Sequence, residues 1–360
     1  MKSNNDICQR YVFFIGLLTH GGAERVISIL TRHMIDAGKD VKLLLYYDKP
    51  HFYALHPNLN VVYVERETKS NEILTNLLWM RKFIKANADV VVSFLAPFNI
   101  LAILSTLGLQ KKIIVSDRND PRFIPSNCLV RKLRDFLYRF ANGIVVQTSN
   151  NKKYFSKIVQ KKTAIIFNPV DLGERRGQAL RTEKKKRIVS VGRLIKQKNQ
   201  VMLLEAFFEI HKNYPEYILT IYGEGNYREA LESKIKELRL EGFVELPGSK
   251  KDVFDLISDA ELFVLSSDYE GMPNALIEAM CLGLPVISTA VSGTSDLIDD
   301  GVNGMVTEVG NKEQMISAMR EMLASEDFRG KCAENAILIN DKLEVNGIMN
   351  KWEKFIDEVR

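Results

Sequence analysis

Short apolar strand candidates alternate with amphipathic helical stretches along the whole chain, and this alternation restricts its fold more than any other feature. Strands separated by helix-length connections pair in parallel through right-handed crossovers and are covered by helices on both faces. In the first half the candidates are residues 11–17, 41–47, 61–64, 90–95, 113–115, 144–147 and 164–167. The pattern breaks at Asn168-Pro169-Val170-Asp171 and the charged stretch 174–187, which reads as an interdomain connection. It restarts at 188–191, 218–222, 244–246, 262–265, 286–288 and 305–307, with a helix near 312–323. A chain of 360 residues also exceeds what one core usually serves. The expected fold class is therefore α/β, with two Rossmann-like domains of parallel sheet, 1–171 and 172–343, facing across a cleft. A last helix over 347–360 puts Ile348, Trp352, Phe355, Ile356 and Val359 on one face, which needs a surface to cover.

Composition narrows the class. Hydrophobic residues at 46% and charged residues at 26% fit a packed globular protein. Cys8, Cys128, Cys281 and Cys332 are scattered, with no CxxC pair, so neither a zinc site nor a disulfide framework is expected. The polar N-terminus lacks the apolar core of a secretion signal, which fits a cytoplasmic protein. Residues 90–109 carry no charge and have the length of a membrane span, but the β-branched start and Pro97 split them into a strand and a buried helix. Residues 1–170 hold 25 Lys and Arg against 12 Asp and Glu, a net +13; residues 171–360 hold 25 against 33, a net −8. A basic half points to a polyanion: a membrane surface, a pyrophosphate-bearing substrate or nucleic acid. No nucleic-acid module is present and the aromatic residues do not interleave with the basic ones, so nucleic acid is not an expected partner.

Three stretches carry candidate chemistry. Thr19-His20-Gly21-Gly22-Ala23-Glu24-Arg25 opens a helix directly after the first strand, where Gly21 and Gly22 permit close backbone approach; a plain tight turn explains it equally. Gly192 and Arg193, with Lys198 behind them, occupy a second strand end, the edge of an open parallel sheet where ligands bind, and could flank a phosphate. The third stretch runs from Ser266 to Met280. Pro273 suits the first turn of a helix, so the amides around Asn274 and Ala275 would form an anion cradle beside Glu270. Glu278, about one turn into that helix, could accept from a ribose diol.

These residues resemble the retaining glycosyltransferases of family 4, which have the GT-B fold. The likeness rests on Gly192-Arg193 with Lys198, Glu270 with seven residues to Glu278, Gly271-Met272-Pro273, Gly283-Leu284-Pro285-Val286, the early Gly21–Arg25 run and the late Gly301-Val302-Asn303-Gly304. It implies that Arg193 and Lys198 hold the diphosphate of a nucleotide-sugar. Glu270 and the turn Met272, Pro273, Asn274 and Ala275 would face the donor sugar and phosphate, and Glu278 the ribose. Gly223-Glu224-Gly225 and Gly248-Ser249 would line the base pocket, and the final helix would cross back onto the first domain. A UDP-linked hexose or N-acetylhexosamine is the expected donor, with GDP-mannose open. The loop after 113–115 departs from the pattern: it carries Asp117, Arg118, Asn119 and Asp120 where many members have a His, and which of these faces the acceptor is open.

No Asp-x-Asp pair occurs, so no metal or other cofactor is expected. Residues 128–141 read as a basic amphipathic helix with Leu129, Val130, Leu133, Phe136, Leu137 and Phe140 on one face and Arg131, Lys132, Arg134 and Arg139 off it. That face either packs on the core or docks on an anionic membrane to reach a lipid-linked or glycan acceptor, as a peripheral protein of the inner membrane face would. A nucleotide-sugar epimerase and a non-catalytic nucleotide-sugar-binding protein are the alternatives.

Overall fold

A computed structural model describes residues 9–19, 21–170, 172–250 and 253–359. Cys8, His20 and Asp171, noted in the sequence, lie outside the described residues. The chain divides into two compact units, residues 1–169 with 346–360 and residues 170–345.

In the first unit the described residues form a seven-stranded parallel sheet from β1 (Arg10–Ile15), β2 (Asp40–Leu45), β3 (Asn60–Tyr63), β4 (Val90–Phe94), β5 (Lys112–Asp117), β6 (Gly143–Val146) and β7 (Thr163–Ile165). Its order is β3-β2-β1-β4-β5-β6-β7. Every residue of β4 is buried, because helices cover both faces of a parallel sheet, and its run is apolar but for Ser93. Residues 90–109 divide as expected, into β4 and the helix Ala96–Thr106 with Pro97 in its first turn. Among the described residues no helix is long and apolar enough to cross a membrane.

In the second unit they form a six-stranded parallel sheet from β8 (Lys185–Val191), β9 (Ile218–Tyr222), β10 (Val244–Gly248), β11 (Ala260–Leu265), β12 (Val286–Thr289) and β13 (Met305–Thr307), in the order β10-β9-β8-β11-β12-β13. The charged stretch 174–187 is not a linker. It folds into the short helix Gln178–Arg181 and the start of β8, with Ala179 fully buried and Lys185 and Lys186 paired to Asp259 and Glu261.

The last helix, Val345–Glu358, lies on the first unit. Trp352 is fully buried, stacked on Phe94 with ring centroids 5.5 Å apart, and the Arg118 guanidinium sits 5.8 Å from its ring centre. Gly143 faces Phe355 and Val359, where a Cβ would come within 2.9 Å of both side chains. Trp352→Ala removes a buried aromatic and uncovers the Arg118 cation, so it should cost about 3–5 kcal/mol. Urea unfolding followed by circular dichroism measures that loss, and a change below about 1 kcal/mol, the level of an ordinary surface substitution, would contradict this account of the helix.

Candidate functional site

Strand order in the second sheet reverses at β8 and β11, which are neighbours there although the chain leaves them in opposite directions. Loops at the carboxyl ends of such strands diverge and leave room for a ligand. The loop after β8 carries Gly192, Arg193 and Lys198; the loop after β11 carries Glu270 to Pro273.

The two loops are clamped together. Lys198 Nζ lies 2.6 Å from Glu270 Oε1, both side chains being mostly buried, and the Ser267 hydroxyl donates to the same oxygen at 2.8 Å. Ser266 Oγ donates to the Lys198 carbonyl at 2.9 Å, and Gln197 Nε2 donates to the Tyr269 carbonyl at 2.7 Å. Asn199, in the left-handed region at φ 46°, accepts from the Met202 amide to cap the helix Gln200–His211 and donates to Asp268 Oδ1 at 2.7 Å. Ser267 and Asn199 were not picked out as site residues from the sequence; an Asn directly after Lys198 and before a helix, a residue that tolerates the left-handed region, was the available signal. Arg193 is exposed and makes no ion pair with any described residue, while its carbonyl accepts from Gln200 Nε2.

Glycines let the neighbouring loops close up. Gly223 has φ +150°, and a Cβ there would lie 1.9 Å from the Gly192 carbonyl oxygen. Its amide donates to the Gly248 carbonyl at 3.1 Å, so the ends of β8, β9 and β10 meet backbone to backbone. Glu224 is held by Arg228 at 2.6 Å.

The helix after β11 runs Asn274–Leu282, with Pro273 as its N-cap residue in extended conformation, one position earlier than its expected place in the first turn. The first in-helix acceptance is Ile277 N–H to the Pro273 carbonyl, so the amides of Asn274 and Ala275 stand at the start of the helix ahead of any such bond. Gly271, Met272 and Pro273 are buried against the loop after β12, where a Cβ on Gly293 would meet Pro273 Cδ at 2.9 Å. Glu278 is the fifth residue of this helix, and its charge adds to burial in pushing the Cys281 thiol up to about 12.

In the first unit Gly21 is the N-cap of the helix Gly22–Asp36, and its carbonyl accepts from the Arg25 amide and the Tyr53 hydroxyl. The loop after β5 departs from expectation. Asp117 is fully buried and accepts from the Tyr138 hydroxyl at 3.1 Å, with Arg134 at 3.6 Å. Burial pushes its carboxyl upward against the opposing pull of Arg134. Arg118 is buried beside the stacked rings of Phe94 and Trp352, 5.5 and 5.8 Å from their centres, and burial pulls its guanidinium down to about 9. Asp120 is buried and binds Arg122 at 2.6 Å, while Asn119 is half-buried. Asp117 and Arg118 are thus both buried, with Asp117 Oδ1 and Arg118 Nε and Nη2 meeting no hydrogen-bond partner among the described residues.

Arg134 requires a similar correction as a membrane contact. Its side chain is fully buried and donates to the carbonyls of Ile124 (2.6 Å) and Pro121 (2.9 Å). The helix Cys128–Leu137 turns inward at Arg134 and Leu137, while Leu129 is 70% exposed and Leu133, Phe136 and Phe140 are also exposed. Lys132 is exposed; Arg131 is half-buried and donates to the carbonyls of Pro125 and Ser126.

Arg134→Met would leave buried Asp117 with only the neighbouring Arg118 charge to oppose it, and breaking a buried pair typically costs about 3–5 kcal/mol. Pairing it with Asp117→Leu should restore more than half of that loss in denaturant unfolding; equal losses for the single and double variants would exclude the coupling.

Residues 20–174 match the family model for Glycosyltransferase Family 4, and residues 173–338 that for Glycosyl transferases group 1. One relative, the N-acetylgalactosamine-N,N'-diacetylbacillosaminyl-diphospho-undecaprenol 4-alpha-N-acetylgalactosaminyltransferase of Campylobacter jejuni, is 30% identical over 342 residues, 89% of this chain and 92% of its own. Another from the same organism, the GalNAc-alpha-(1->4)-GalNAc-alpha-(1->3)-diNAcBac-PP-undecaprenol alpha-1,4-N-acetyl-D-galactosaminyltransferase, is 29% identical over 357 residues, covering 97% and 98%. The crystal structure of Anabaena HepE in complex with UDP and glucose superposes with a TM-score of 0.81 at 16% identity, covering 97% of this chain and all of that one.

Proposed function

The chain belongs to the glycosyltransferases of family 4 type with the GT-B fold, and from that premise we propose that it transfers a hexose or N-acetylhexosamine from a UDP-sugar to a lipid-linked or glycan acceptor in cell-surface glycan synthesis, with retention at the anomeric carbon and without a metal. One observation carries the donor assignment: an exposed Arg193 and the Lys198–Glu270 pair stand on the two loops that part at the strand reversal of the second sheet. The names of the Campylobacter relatives, with undecaprenol-linked acceptors and N-acetylgalactosamine transfer, and the UDP bound to the Anabaena protein support the choice of substrates.

Cleavage of the sugar–phosphate bond places negative charge on the departing diphosphate oxygen. Groups fixed beforehand around that oxygen lower the barrier because they need no reorganisation as the charge forms. Arg193 and Lys198 supply cations, and the Met272–Ala275 turn supplies amides. A diphosphate that takes the Lys198 ammonium frees Glu270 to accept from hydroxyls of the donor sugar. Glu278 accepts from the ribose, and Gly223 and Gly248 admit the base against bare backbone.

Membrane attachment rests on the exposed row Leu129, Leu133, Phe136 and Phe140 beside exposed Lys132 and Arg139. Apolar side chains sink into the headgroup boundary while the cations meet anionic lipid, which keeps the protein peripheral on the inner face of the cytoplasmic membrane.

Arg193→Ala and Lys198→Ala should each lower turnover about 10²- to 10³-fold, with unfolding unchanged for Arg193→Ala and stability reduced for Lys198→Ala, which leaves Glu270 without its cation. Release of nucleoside diphosphate on acceptor addition measures this; near-normal turnover in either variant rejects the donor assignment. The same assay separates transfer from an epimerase or a mere binding protein, neither of which releases that product. Activity should persist after chelation, and full dependence on restored Mn²⁺ or Mg²⁺ would refute the metal-free mechanism. Charge reversal at Lys132 and Arg139 should weaken co-sedimentation with anionic vesicles about fivefold or more per charge, whereas equal binding to neutral and anionic vesicles would exclude electrostatic docking.

A further inference from the structure

A cavity of about 510 Å³ opens in the first unit above the carboxyl ends of β2 and β4. Its size suits a small-molecule site. Its wall is carbon for the most part: Tyr47, Ile73, Phe98, Leu101, Val130 and Leu133 line it. Phe98 forms its floor, because Gly16 at the end of β1 has no side chain and a Cβ there would fall 2.1 Å from the Phe98 ring. Phe14 and Tyr46 hold that ring at 5.8 and 5.9 Å between centroids, so the floor is fixed. The strand reversal of this sheet, at β1 and β4, is thus covered by an aromatic surface, unlike the corresponding place in the second sheet, where Lys198 and Glu270 stand.

The rim carries the second observation. Ile73 is 62% exposed and Leu133 is 45% exposed, and both also line the cavity. Leu133 belongs to the outward row Leu129, Leu133, Phe136 and Phe140, so the cavity mouth is continuous with the apolar face proposed to enter the membrane. Large exposed apolar side chains in a row are unfavourable in water and mark an interaction surface. With that row in the bilayer boundary, the mouth opens toward hydrocarbon, and Lys132 and Arg139 match anionic headgroups.

We propose that this cavity receives a segment of the hydrocarbon chain of the lipid-linked acceptor, an inference that rests on the lipid-linked-acceptor reading above. A chain entering from the bilayer crosses no water, and its burial against Phe98 and Leu101 fixes the depth at which the acceptor's diphosphate and sugar stand.

The test uses the full chain on phosphatidylglycerol vesicles containing a polyprenyl diphosphate with a diazirine within its chain, irradiated and mapped by mass spectrometry. Label is expected in residues 70–76, 97–101 and 130–133. Ile73→Glu at the rim and Ser70→Trp, whose ring would occupy the cavity from its edge, should both remove it while vesicle co-sedimentation persists. In parallel, the ratio of kcat/KM for a long-chain over a short-chain acceptor should fall about tenfold or more in both variants, the scale of losing two or three buried methylene contacts. Label confined to 129, 136 and 140, or equal KM for long and short acceptors in the unaltered protein, overturns the inference and would favour a saccharide occupant. Cavity label with no transfer from any nucleotide-sugar would instead sink the enzymatic reading and leave the cavity's role standing.

Discussion

The reversal of strand order at β8 and β11 is the constraint on which the candidate site depends, because it obliges two loops from distant parts of the chain to end side by side. The 2.6 Å Lys198–Glu270 contact is a consequence of it. An exposed pair of this kind would contribute between nothing and about 1 kcal/mol. Here Asn199 with Asp268 and Gln197 with the Tyr269 carbonyl lock the loops, and Ser267 donates to the same Glu270 oxygen as Lys198, so the pair is held in place largely out of water. A buried pair is poor evidence of stability gained, and its retention fits a demand for position. A ligand that offers a stronger anion to Lys198 then meets a site already assembled.

Strand existence was legible because parallel strands covered on both faces must be apolar at every position, and no periodicity has to be resolved to see 90–94 or 262–265. Ends were less legible. The first candidate ran to residue 17, but β1 stops at Ile15, where Gly16 yields its space to the Phe98 ring some eighty residues away. The stretch 174–187 looked like a linker since it is charged and poor in large apolar residues, and it holds too few acidic partners for its lysines and arginines. Asp259 and Glu261, on and beside β11, supply them, and a local window cannot contain that pairing.

The candidate site divides in the same way. Arg193, Lys198 and Glu270 could be picked out because charged residues at strand ends beside glycines are unusual for solvated turns. Asn199 acts on Asp268 in a distant loop, so a motif shows its presence without its use, while Ser267 acts on Glu270 within its own loop. Arg134 misled for the opposite reason. On a helical wheel it falls among the basic residues, yet the chain from Pro121 to Ile124 brings carbonyls over it, and Asp117 at the end of β5 faces it. Helical spacing assigns a face; only packing says whether that face meets water.

This also changes how the basic charge of the first half should be read. Part of it builds the fold: Arg134 on the inward side of the helix Cys128–Leu137, Arg118 against the stacked Phe94 and Trp352, and Arg10 on Asp89. A cation lying against two stacked rings draws on both, so Arg118 ties the returning helix, which supplies Trp352, to Phe94 of the sheet. Lys132 and Arg139 have no such burial, and they flank the side chains whose exposure the fold leaves unexplained. Buried guanidiniums hold the amphipathic helix in one orientation, with Leu137 turned inward and Leu129, Leu133 and Phe136 turned out. If the helix were free to roll by one position, burying the outward row would stabilise the isolated protein and remove both the apolar face and the mouth of the cavity behind it. Arg134 blocks that roll, because it cannot leave Asp117 and the two carbonyls without a cost larger than the gain from covering a few exposed side chains.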